Sequence, residues 1–137
     1  MRDIRFDDIA ALREMISAEY GPWGPELEIT QTMIDDFADL TGDHQWIHVD
    51  VERARKGPFG APIAHGLLTL AIITRIRAPS AFKVVGQGST VNYGSEGMRF
   101  LAPCTPDRKF MCATGSSTCS DTLEGRGSRS RSSGQRP

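Results

Sequence analysis

The sequence predicts an α+β fold, and three features predict it. Apolar residues recur at helical spacing in two amphipathic stretches, residues 9–16 and 33–40. A third stretch, Ile63 to Ile76, is apolar on nearly every face and too long for an ordinary strand, so it reads as a helix buried on most sides. Short segments of alternating character, around Leu27 and from Ser89 to Phe100, read as strands.

From the N-terminus, Ile9, Leu12 and Ile16 share one helical face, with Asp7 and Asp8 placed to favour the positive end of the helix dipole. Pro22 and Pro25 end that helix, because each disfavours helical backbone in the residue before it. Leu27 and Ile29 alternate with Glu26 and Glu28 as a short, half-exposed strand. Thr30 then offers a side-chain oxygen to cap a second helix, whose Met33, Ile34, Phe37 and Leu40 form an apolar stripe opposite Asp35, Asp36 and Asp39. Gly42 stops it, Gly57 to Pro62 form a rigid loop, and Pro79 closes the long apolar helix. Ser89, Val91 and Tyr93 alternate with Thr90 and Asn92, Gly94 interrupts, and Met98 and Phe100 resume, which predicts two short strands or a bent one.

A chain of 137 residues fits one domain with one hydrophobic core. Its formal charge of −1 gives no reason to expect nucleic acid or an anionic membrane as a partner. The strongest apolar run, Ala61 to Ile73, is too short and too interrupted by His65 and Gly66 to span a bilayer, so a soluble, cytoplasmic protein is expected. Cys104, Cys112 and Cys119 are odd in number and lack Cys-x-x-Cys spacing, which suggests neither a disulfide framework nor a zinc site.

The chemistry concentrates in Gly42-Asp43-His44-Gln45-Trp46-Ile47-His48-Val49-Asp50 and in Ala64-His65-Gly66, which together hold all three histidines. Asp43 and His48 flank a short turn and are close enough for both side chains to hold one water. With ordinary pKa values of about 3.9 for Asp and about 6.5 for His, one is ionised near neutrality and the other can take or return a proton, which suits water addition or removal. His44 and His48 with Asp43 and Asp50 form an alternative metal set. Metal-binding pairs of that spacing sit on helices, however, and Gly42 argues for a loop, so no metal is expected. His65 is expected to cap the central helix or fill the core. Trp46 and Phe59 either wall a pocket or belong to the core, and Asn92 either binds substrate or satisfies a strand end.

The run from Phe37 through Gly42-Asp43 to His48, with Ala54 downstream, resembles the signature of the MaoC-like dehydratases, the (R)-specific enoyl-CoA hydratases. Pro62-Ile63-Ala64-His65-Gly66 resembles the start of that family's central helix, and Val91 to Gly94 with Arg99-Phe100-x-x-Pro103 resembles its later strand block. Gln45-Trp46 stands where many members have Asn-Pro, and resembles the nodulation-protein-N-like branch. The resemblance implies a hot-dog fold, an antiparallel sheet wrapped around a long helix, here Ile63 to Ile76. It implies a homodimer and an acyl-CoA thioester as partner, with no cofactor beyond the CoA of the substrate. Asp43 and His48 match the pair that activates water for addition to a trans-2-enoyl-CoA, or removes it from an (R)-3-hydroxyacyl-CoA. Gly66 matches the position whose N–H binds the thioester oxygen. That N–H, at a helix start, lacks an intrahelical partner and sits at the positive end of the dipole. Trp46, Phe59, Thr74 and Asn92 are the candidates for the substrate pocket. Two alternatives of other classes are a hot-dog acyl-CoA thioesterase and an inactive, truncated acyl-CoA-binding module.

Beyond Pro103 the character changes. From Thr114 to Pro137 the only large apolar residue is Leu123, among mostly Ser, Gly, Arg and Thr. The family's sheet needs further long strands there, and without them the fold is incomplete. Joining the third base of each codon to the next two turns Lys109 to Cys112 into Val or Ile, His or Tyr, and Val, and it makes Thr118/Cys119 Leu, Val or Met. That hidden segment is strand-like where the written one is not. The chain is therefore expected to divide into a hot-dog domain over residues 1–103 and a low-complexity tail over 104–137, disordered or shifted out of its ancestral frame near Cys104. The coding DNA tests this: the offset frame should run on without a stop and with apolar alternation, and an early stop refutes the shift.

Overall fold

Thr30 and Gly42 delimit the longest helix of the computed structural model, which describes residues 1–17, 19–95 and 97–114. Thr30 has extended backbone, and its Oγ1 accepts from the Met33 N–H at 3.3 Å. Gly42 takes the left-handed conformation, φ 76°, and returns its N–H to the Ala38 carbonyl at 2.8 Å. Between them α2, Gln31–Thr41, buries Ile34 and Ala38 and half-buries Met33 and Phe37. Leu40, expected in the apolar stripe, is instead 82 % exposed in the last turn.

Two compact units are present. Among the described residues, one comprises 1–23, 78–99 and 113–114. In it β1, Arg2–Arg5, pairs in parallel with Phe82–Val85, and α1, Ile9–Glu14, is capped by Asp8 accepting from the Ala11 N–H at 3.0 Å. Neither strand was expected from the sequence. Neither the two short strands nor the single bent one expected over Ser89 to Phe100 forms: the described residues there are irregular, and Val91 and Tyr93 are exposed. A strand persists only where its N–H and C=O groups find a partner ladder, and no described segment supplies one.

The other unit comprises Gly24–Arg77 and Phe100–Cys112 and holds the main core, Ile29, Ile34, Ala64, Leu68 and Ile72, with Leu27, Met33, Phe37, Cys104 and Phe110 packed against it. After α2 come two single-turn helices, α3 (Trp46–Val49) and α4 (Val51–Arg55), where the sequence suggested a loop. The central helix is shorter than expected. It begins as α5 at Gly66, runs to Ala71 and tightens into a 3-10 turn over Ile72–Arg75. The start is late because His65 has extended backbone, ψ 136°, and the Ile63 carbonyl is taken by His48 Nδ1, while the N–H groups of Ile63 and Ala64 meet the carbonyls of Ile47 and Cys104 at 2.9 and 2.7 Å. It is also not buried on most sides: Leu68, Ile72 and Ile76 are buried, while Leu67 and Leu70 are exposed. Among the described residues no helix is long and apolar enough to cross a membrane.

The packed chain runs past the boundary expected at Pro103. Ile29 exchanges backbone bonds with Arg108 and Asp107, and Lys109–Phe110 pair antiparallel with β2, Leu27–Glu28. Phe110 reaches the core, and Lys109 Nζ meets Glu26 Oε2 at 2.6 Å. Burial of an aromatic side chain and a paired backbone hold residues 104–112 in this unit. The remainder of the expected tail, residues 115–137, lies outside the described residues.

Ile34 is fully buried, so Ile34→Ala should lower unfolding free energy by about 2–5 kcal/mol, and loss of the cap in Thr30→Ala by about 1 kcal/mol. Urea unfolding followed by circular dichroism checks both values and their order.

Candidate active site

His48 is held on four sides. It lies within the single turn of α3, with its N–H on the Gln45 carbonyl at 2.9 Å. Its own carbonyl accepts from Gln31 Nε2 at 2.8 Å, and the same amide nitrogen also donates to Asp35, which ties α3 to the first turn of α2. Its Nδ1 lies 2.6 Å from the Ile63 carbonyl. A carbonyl can only accept, so Nδ1 carries the proton and Nε2 is left with a lone pair. The ring stacks on that of His65, with centroids 3.7 Å apart and planes 27° from parallel, and both imidazoles are buried.

His65 occupies the N-cap position of α5 but makes no side-chain capping bond. Its Nε2 instead donates to the backbone carbonyl of Asp43 at 2.9 Å and lies 4.0 Å from the Asp43 carboxylate. The Phe37 ring flanks it at 5.1 Å, and its Nδ1 is buried without a partner. The expected capping role is thus replaced by a reach across to the motif loop.

Asp43 follows Gly42 on that loop, its side chain 55 % exposed. A carboxylate oxygen of Asp43 and a ring nitrogen from each of His48 and His65 all lie within 4.8 Å of one another. Two hydrogen bonds of about 2.8 Å meeting at a tetrahedral angle span about 4.6 Å, so one water can bridge Asp43 and His48. Asp43 and His48 are thus neighbours, with His65 beside both.

A pocket of about 300 Å³ opens beside His48, and its walls include Phe59, Gly66, Thr69, Phe100 and Cys104. A methyl group on Gly66 would fall 2.5 Å from the Phe100 ring, so this wall tolerates no side chain without displacing that ring. Burial pushes the Cys104 thiol up from its ordinary pKa, against a smaller lowering by Arg108, which leaves a neutral, weakly polar wall. Phe59 lines the pocket as expected. Trp46 is absent from the lining: Arg53 stacks over its ring at 4.4 Å, and its far edge crowds Gly57. Thr74 is exposed on the 3-10 turn with its hydroxyl donating to Ala71, and Asn92 is exposed in the other unit. Gln31, His65, Thr69 and Cys104 were not foreseen as site residues.

The metal set considered from the sequence does not assemble. His44 Nε2 pairs with Asp39 at 2.8 Å, a contact that raises its pKa, and Asp50 caps α4 by accepting from the Arg53 N–H. Among the described residues the donors that do converge are Asp43, His48 and His65. The two rings are stacked with planes 27° apart, whereas a tetrahedral ion takes lone pairs that meet at one point. One nitrogen of each ring is moreover engaged by a backbone carbonyl.

Comparison with known proteins identifies the family. The MaoC like domain profile matches residues 21–122. The chain is 45 % identical over 100 residues to 3-hydroxyacyl-thioester dehydratase Z of Mycobacterium tuberculosis, covering 72 % of this chain and 64 % of that protein. It is 41 % identical over 106 residues to Nodulation protein N of Rhizobium meliloti, covering 75 % and 62 %. Among solved structures it resembles the unliganded R-hydratase PhaJ1 of Pseudomonas aeruginosa, with a TM-score of 0.54, 25 % identity and coverage of 69 % of this chain and 59 % of that one. The chain thus spans less than two thirds of the length of these relatives. Its α+β structure is that of the hot-dog proteins, with few strands among the described residues. On the profile match, the identities and the shared fold, the chain belongs to the MaoC-like dehydratase domain family.

Proposed function

We propose that this chain hydrates trans-2-enoyl-CoA thioesters and, in reverse, dehydrates (R)-3-hydroxyacyl-CoA. The observation that carries the reading is the hydrogen bond from His48 Nδ1 to the Ile63 carbonyl, which leaves Nε2 free for water on a ring whose nearer nitrogen lies within 4.8 Å of an Asp43 carboxylate oxygen. The dehydratase and hydratase named among its relatives support the same chemistry.

In the hydration direction the water donates one hydrogen to the Asp43 carboxylate and one to His48 Nε2. As its oxygen bonds to C3, His48 takes up a proton and the C2=C3 electron pair moves toward the thioester carbonyl. Negative charge then gathers on the thioester oxygen, where the Gly66 N–H, without an intrahelical acceptor, serves as donor. The proton held by His48 passes to C2, so both side chains end in their starting states. Phe59, Phe100 and the other apolar walls exclude bulk water from the acyl chain. The scheme uses no metal and no cofactor beyond the CoA of the substrate. We also infer a cytoplasmic homodimer with acyl-CoA as its partner, from the family resemblance and from a charge balance that favours neither nucleic acid nor membrane.

Crotonyl-CoA hydration, followed by loss of the enoyl-thioester absorbance, tests the reading. Asp43→Asn and His48→Gln should each lower kcat by about 10²-fold to 10⁴-fold with folding retained. His44→Ala, whose ring pairs with Asp39, should stay within about twofold. An inert wild type, or free thiol released in place of hydration, overturns it.

Gly66→Ala should lower kcat/KM by at least about tenfold, because the added methyl contends with the Phe100 ring at the oxygen-binding position. Treatment with EDTA should leave the rate unchanged, and a rate lost to EDTA and restored by one divalent ion would instead assign Asp43, His48 and His65 to a metal.

A further inference from the structure

We propose that His65 is a positioning residue that sets Asp43 against His48, by holding the Asp43 loop through its Nε2–H and the His48 ring through its face. The proposal rests on the hydration reading above for its kinetic consequence, though not for the contacts themselves. His65 lies at the N-terminus of α5 and yet touches both members of the pair: the Asp43 carbonyl at 2.9 Å and the His48 ring at 3.7 Å between centroids.

Asp43 needs such a tether. Its side chain is largely in solvent, and its other hydrogen bonds, from its own N–H to Thr41 Oγ1 and from the Gln45 N–H to its Oδ1, are both 3.4 Å and near the limit of the interaction. The His65 bond is shorter than either and anchors the loop to a buried ring backed by Phe37. An exposed carboxylate on an unanchored loop would sample many separations from His48, and only a narrow range lets one water bridge both.

A core-filling role does not account for the residue. With Nε2 donating to a carbonyl, the Nδ1 lone pair faces the interior with no donor, a loss of stability that leucine or phenylalanine at the same place would avoid. What the imidazole adds over an apolar side chain is the N–H directed at Asp43.

The full-length chain carrying His65→Leu, which removes donor and ring, is compared with His65→Gln, whose amide can place an N–H near the Nε2 position. His65→Leu should lower kcat for crotonyl-CoA by about 10²-fold with KM within about twofold, and His65→Gln should recover at least about tenfold of that loss. Should His65→Leu not fold, His65→Phe gives the donor-free comparison with the ring retained. Amide hydrogen exchange over residues 43–45 supplies a readout independent of turnover: it should speed in the donor-free variant and return toward wild type in His65→Gln. Unchanged kcat in a folded donor-free variant of an active enzyme overturns the proposal, as does unchanged exchange. If the wild type does not hydrate crotonyl-CoA, the hydration reading falls, and the exchange comparison alone decides for or against the tether.

Discussion

The hydrogen bond between His48 Nδ1 and the Ile63 carbonyl joins two parts of the chain that are separated by fifteen residues. It selects the ring tautomer, and it also fastens the motif loop to the segment that leads into α5. That segment is fixed independently by the bonds from Ile63 to Ile47 and from Ala64 to Cys104. With the Ile63 carbonyl taken by His48 and His65 extended, coiling begins only at Gly66. The same constraint therefore orients the base and brings Gly66 into the wall of the pocket that His48 lines. A helix begun at Ile63, as periodicity alone would have it, would withdraw these anchors.

Features written in neighbouring residues were legible. Thr30 caps and Gly42 terminates α2 because a side-chain oxygen and a left-handed glycine act within one turn of their own position. Asp43 and His48 are five residues apart, and a short turn suffices to bring them together. The site contacts of His65 and Gln31 could not be read because their partners are 22 and 17 residues away, and no local pattern encodes an imidazole reaching a carbonyl on another loop. Gln31 in particular reads as an unremarkable first-turn polar residue until its bond to the His48 carbonyl is seen.

The strand expectations show the opposite lesson. Alternation around Val91 was clear, yet a strand is a property of a pair, and no described segment forms a ladder with it. Arg2–Arg5, with three charged residues in four, offered no alternation worth reading, yet it pairs with Phe82–Val85 and buries Ile4. Likewise Lys109–Phe110 took its structure from β2 and from the core beneath Phe110, so a change in composition after Pro103 did not mark the end of packing. Leu40 failed for a related reason: a helical stripe marks a face, but the neighbour that covers it ends where it ends.

Cys104 sits in the pocket wall as a half-buried thiol, its backbone carbonyl holding Ala64 in place. Only the thiolate attacks electrophiles, and burial keeps that form scarce near neutrality. The pocket thus contains its own chemical reporter: alkylation there accelerates as the medium becomes more alkaline and is shielded by whatever fills the cavity. Occupancy of the cavity becomes measurable by mass, without turnover and without knowing in advance which acyl chain the pocket accepts.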